Sequence, residues 1–176
     1  MTASASSINP VYSIMADDAS LTPAQIIAEL ERGIDLLRNA VADMTAEQVR
    51  ARPIAGKWSS LEVVCHLVDC DQFAADRIKR TIALERPLHL GVDPTTYNTA
   101  LNYQEADLEQ ELQLFELNRR HLAAMLKRLP DTIWSRPSVH SETGLVTVRQ
   151  LLLHPIRHLE HHIPFLLEKR QALGLL

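Results

Sequence analysis

A chain of 176 residues, 46% of them hydrophobic, suits one domain and is long enough to bury a core without disulfide or metal staples. Its 18 Lys and Arg stand against 22 Asp and Glu, and the basic residues are scattered rather than clustered, which argues against a nucleic-acid groove. No apolar run reaches the roughly 18 residues of a membrane span, and the N-terminal stretch lacks the basic and apolar regions of a signal peptide, so a cytoplasmic protein is expected.

Residues 1–20 are small, polar and aperiodic and read as a loose arm; residues 21–176 read as one helical domain. The first helix begins at Thr22, with Pro23 at its first position and Gln25 closing a capping box. Ile26, Ile27, Leu30, Ile34, Leu37, Val41 and Met44 continue it as one apolar stripe. Thr45 to Gln48 could start a short turn. The second helix begins at Ser59, with Glu62 closing its capping box and Trp58 and Val63 as a hydrophobic staple, and runs to about Leu84. Its inward stripe holds Val63, His66, Leu67, Cys70, Phe73, Ala74 and Ile78. Cys65 and Cys70 are too far apart on such a helix to form a disulfide and read as reduced, packing thiols.

Residues 85–103 show no sustained period, so they cross over the bundle or carry function. A third helix is expected from about Gln104 to Leu129, on a seam of Leu108, Leu112, Phe115, Leu122, Leu126 and Leu129. Arg119 interrupts that seam and reads as an arginine whose stem packs while its head reaches water. A second polar link, 130–146, precedes a capping box of Thr147 and Gln150 with Val146 and Leu151 as staple. In the last helix, Pro155 and Pro164 each remove a hydrogen bond, which predicts a bend or a restart at His154. No strand-length alternation competes with these periods.

Leu151–Leu167 carries four histidines. His154, His158 and His162 rise at i, i+4 and i+8 along one side, a spacing from which imidazoles can converge on one ion. His161 is turned about 100° away and falls outside that site. Four such helices pack most simply as a four-helix bundle, an all-α fold with long inter-helix connections. If the second and fourth helices are neighbours, His66 can meet His158 and His162 at a divalent cation. Three neutral imidazoles would leave the cation's charge uncompensated and favour an open position for water or an anionic sulfur or oxygen. Glu62 and Asp69 stand at i−4 and i+3 from His66, within reach of its free ring nitrogen. His154 reads as a cavity-lining residue, and His89, His121 and His140 read as solvated.

WSSLEVVCHLVDCD (Trp58–Asp71) and TVRQLLLHPIRHLEHHIPFLLEKRQALG (Thr147–Gly174) together resemble the DinB/YfiT-like superfamily over about residues 22–174. The resemblance implies a four-helix bundle, a homodimer, and a three-histidine site for nickel, zinc or a similar ion at His66, His158 and His162. This chain departs from many members in reading His162-Ile163-Pro164-Phe165 where they have a His-Arg-Gly-Gln-like sequence. By the resemblance, the expected activity is that of a thiol-dependent S-transferase in which a low-molecular-weight thiol binds the open position and attacks a small-molecule electrophile. A hydrolase using metal-bound hydroxide is the alternative, and a non-catalytic, stress-associated metal-binding dimer is the reading from another class.

Overall fold

A computed structural model describes residues 20–176, so the expected N-terminal arm lies outside the described residues except for Ser20. Four long helices dominate: α1 (Pro23–Ala40), α3 (Ser60–Ala83), α5 (Leu108–Lys127) and α6 (Val148–Ala172). Between them lie the short helices α2 (Ala46–Arg50) and α4 (Pro94–Leu101) and two 3₁₀ turns, Tyr103–Glu105 and Asp131–Ser135. None of these helices is long and apolar enough to cross a membrane.

The helix starts follow local chemistry. Thr22/Gln25, Thr45/Gln48, Ser59/Glu62 and Thr147/Gln150 all form reciprocal capping boxes, satisfying backbone donors that each helix would otherwise leave bare. The start of α5 differs from the sequence expectation. Tyr103–Glu105 is a separate 3₁₀ turn, and the helix begins after Asp107, whose carboxylate accepts from the Gln110 amide at 2.8 Å. Nor does α6 restart at His154: it is helical throughout from Val148 to Ala172, with Pro155 and Pro164 inside it.

The connections also hold more structure than their lack of periodicity predicts. Strands β1 (Leu88–His89), β2 (Pro137–His140) and β3 (Gly144–Thr147) form a small sheet in that order, β1 parallel to β2 and β2 antiparallel to β3. It joins the 85–103 link to the 130–146 link. Arg136 anchors it to the end of α3, donating from Nε to the Thr81 carbonyl (3.0 Å) and from Nη2 to that of Leu84 (2.9 Å). Helix α4 is tied to the start of α3 by Asn98, which donates to Glu62 at 3.1 Å.

Both α1 and α3 pack chiefly against α5 and α6, so α1 and α3 stand across the bundle from each other although they follow in sequence. The consequence for the site is that α3 lies beside α6. The core comprises one cluster around Leu30, Ile78, Leu122 and Leu152, another around Leu37, Val64, Leu67, Phe115 and Leu159, and a smaller third of Val49, Leu61, Cys65 and Tyr103.

Arg119 contradicts its sequence reading, for its head does not reach water. It is 0% exposed and donates to both oxygens of Asp71 (2.6 and 3.1 Å) and to the carbonyls of Leu30 (3.1 Å) and Pro155 (3.0 Å), with its guanidinium carbon 4.2 Å from the Phe115 ring centre. Four elements of the ring of helices are thus joined through one side chain. Burial pushes the Asp71 carboxyl up, and the guanidinium works against that shift. Gly33 makes room for the arrangement: a Cβ there would stand 1.9 Å from Arg119 Nη1 and 2.8 Å from Leu159 Cδ2. Clearance for the arginine outweighs the cost of a mid-helix glycine, about 1 kcal/mol relative to alanine.

Candidate metal centre

The Ser59/Glu62 capping box sets the start of α3, and His66 follows one turn later on the side facing α6. Glu62 is fully engaged elsewhere. It accepts from the Ser59 amide (2.7 Å), from Arg52 (2.6 and 3.0 Å) and from Asn98. Burial raises its pKa, but these donors outweigh that and hold the carboxyl down at about 2. Asp69 accepts from the Tyr103 hydroxyl. Neither carboxylate is hydrogen-bonded to His66, and the neighbour of its Nδ1 is the Cys70 sulfur at 3.6 Å.

On α6 the i, i+4 spacing stacks His154 on His158 with ring centres 5.5 Å apart and brings His162 to the far side of His158. Nε2 of His158 lies 3.2 Å from Nε2 of His66 and 3.1 Å from Nε2 of His162. The three rings stand at 69–87° to one another. Nδ1 of His158 and Nδ1 of His162 are buried without a hydrogen-bond partner. Burial lowers the His66 pKa to about 4, the His162 pKa to about 3 and the His154 pKa to about 4, and pushes that of His158 down further, so these rings are neutral near pH 7.

The rings open onto a cavity of about 260 Å³. Trp58, Phe73, Tyr97 and Tyr103 supply an aromatic wall, with Arg77, Asp69 and Glu142 as its charged residues. His154 lines the cavity as expected, and His161 also reaches it, although it is solvent-exposed and lies outside the converging trio.

Other sequence expectations are corrected here. Cys70 is not simply a packing residue: it lines the cavity, and donor atoms of His66, Cys70 and His158 lie within 4.8 Å of one another. The same i, i+4 spacing that marks the histidine ladder links His66 to Cys70 and was a usable signal. Both cysteines are free thiols, and burial pushes the pKa of each up to about 12. His89 and His140 are buried rather than solvated. His89 shares a hydrogen bond with Thr81 (3.0 Å), and His140, carried in by β2, lines the cavity and accepts from the Glu142 amide (3.3 Å). His121 is exposed, as expected.

Fold and site together define a helical-bundle protein with an imidazole cluster facing a partly open, aromatic-lined cavity. The chain belongs to the DinB superfamily, whose family model matches residues 29–165. It is 28% identical over 137 residues, 78% of this chain and 79% of the relative, to an Oceanobacillus iheyensis protein named "Putative metal-dependent hydrolase OB0782". It is 27% identical over 139 residues, 78% of each chain, to YfiT of Bacillus subtilis, which bears the same kind of name. A solved structure of YfiT, described as a probable metal-dependent hydrolase with an unusual four-helix bundle topology, matches with a TM-score of 0.81 at 26% identity, over 90% of this chain and 93% of that one.

Proposed function

We propose that the protein is a metal-dependent enzyme in which Nε2 of His66, His158 and His162 hold a divalent cation at the base of the aromatic cavity. The observation that carries this reading is the packing of bare imidazole nitrogens around His158. One ring nitrogen offers either a proton or a lone pair, so Nε2 of His158 cannot make full hydrogen bonds to two other ring nitrogens at once. Ligands of a tetrahedral ion at 2.0–2.1 Å stand about 3.3 Å apart, close to the 3.1 and 3.2 Å separations here. Burial keeps the rings neutral and their lone pairs available.

When bound, the cation supplies Lewis acidity, making water or a small thiol nucleophilic near neutral pH. The chain's own residues do the rest. Trp58, Phe73, Tyr97 and Tyr103 exclude water and accept the apolar body of a small electrophile, while Arg77 offers positive charge to an anionic group on it. The relatives' names favour hydrolysis, with water as nucleophile. The second reading is an S-transferase using a low-molecular-weight thiol, favoured by the neutrality of the three imidazoles, which suits an anionic sulfur as the next ligand.

Elemental analysis of the purified protein and of His158→Ala tests the ligand assignment. About one divalent ion per chain in the parent and less than about a tenth of that in the variant, with the helical circular dichroism spectrum retained, is the expected result. Equal metal content would reject the assignment. Turnover of electrophiles with and without added thiol then separates the two chemistries, since only the transferase requires it.

A further inference from the structure

Cys70 follows His66 by four residues on α3, so the two side chains rise together on one side of the helix. Its sulfur lies 3.6 Å from Nδ1 and 3.9 Å from Nε2 of His66, and it faces the same cavity. A nitrogen and a thiolate sulfur bound to one tetrahedral ion stand about 3.6 Å apart, so the sulfur is already within a few tenths of an ångström of a ligand's position relative to Nε2. Cys65 provides an internal contrast. It is also on α3, but its sulfur lies 3.9 Å from the Tyr103 carbonyl, within a different cluster. The centre that Cys70 approaches is crowded with nitrogen donors, for Nε2 of His158, a residue only 5% exposed, lies 3.2 Å from Nε2 of His66 and 3.1 Å from Nε2 of His162.

We propose that Cys70 is a fourth protein ligand whose thiolate closes the cation site formed by His66, His158 and His162. The inference rests on the cation reading above and refines it. As a ligand Cys70 would bind as thiolate, its sulfur electron pair forming the bond to the cation and its proton passing to solvent. A small thiol taking that place as thiolate would give up its proton, and the displaced Cys70 sulfur would take one up.

Cobalt(II) added to the full-length protein, to Cys70→Ser and to Cys65→Ser tests this, read by near-ultraviolet thiolate-to-cobalt absorption and by cobalt content after desalting. The parent and Cys65→Ser should bind cobalt and show the band; Cys70→Ser should bind cobalt through the histidines and lack it. Cobalt bound by the parent without the band, or a band that persists in Cys70→Ser, overturns the assignment of Cys70 and leaves the three-histidine site standing. If the folded parent binds no cobalt, the cation reading falls and takes this one with it.

Discussion

Two buried polar clusters both draw on α3 and α6, and they are built in opposite ways. The Arg119–Asp71 pair is charged and makes four hydrogen bonds, two within the pair and two to the Leu30 and Pro155 carbonyls. The histidine cluster is neutral, crowds its nitrogens together, and leaves Nδ1 of His158 and of His162 without partners. Burying a polar group without a partner costs roughly 1–3 kcal/mol, so the histidine cluster is held at the expense of stability, whereas the ion pair meets its own hydrogen-bonding needs. A fully paired cluster needs no ligand: it holds α1, α3, α5 and α6 in register, and the unpaired one uses that register.

The comparison breaks first at the arginine. Arg119→Met strands the Asp71 carboxylate in the core and should cost about 3–5 kcal/mol in urea denaturation. A loss under about 1 kcal/mol would mean that the pair does not organise the bundle. Gly33→Ala probes the same cluster from its edge. Despite alanine's better helix propensity, the new methyl collides with the guanidinium and Leu159, and a loss of about 1–3 kcal/mol is expected. A gain in stability would show that the clearance is not needed.

Acid should find the histidine cluster. In the metal-free protein the folded pKa of His154 is about 4, against an ordinary 6.5, because burial disfavours the charged ring. Between those values the unfolded chain binds a proton that the folded chain does not, so stability falls as pH drops from about 6.5 towards 4. His66 and His162 act in the same direction. Removing one such group in His154→Gln should reduce the stability lost between pH 7.5 and pH 5 by on the order of 1–2 kcal/mol. Denaturation curves at the two pH values measure it, and parallel losses in parent and variant would contradict the assigned shift.

Legibility in the sequence followed the range of the interactions involved. The inward position of His66 and the ladder of His154, His158 and His162 could be seen because 3.6-residue periodicity acts within one helix. The strands could not, since β1 has two residues and β2 and β3 four each, too short for a period to show. Helix α4 did carry a local signal, Asp93 as cap and Pro94 at its first position, hidden by the absence of a long apolar stripe. Arg119 was misread because its partner lies 48 residues away on another helix. His140 was misread for a similar reason: it reaches the cavity on a strand whose pairing is made by residues 88–89 and 144–147.

By itself, the amino-acid sequence determined where the long helices α1, α3 and α6 begin, which faces they bury, and which imidazoles share a side, because caps and helical stripes depend on residues only three or four apart. Tertiary structure alone decided that α3 stands beside α6 and opposite α1, that Arg119 meets Asp71, and that the Cys70 thiol joins the imidazoles. Those outcomes depend on how whole helix faces fit and how buried charges are paired, and no local stretch of chain encodes either.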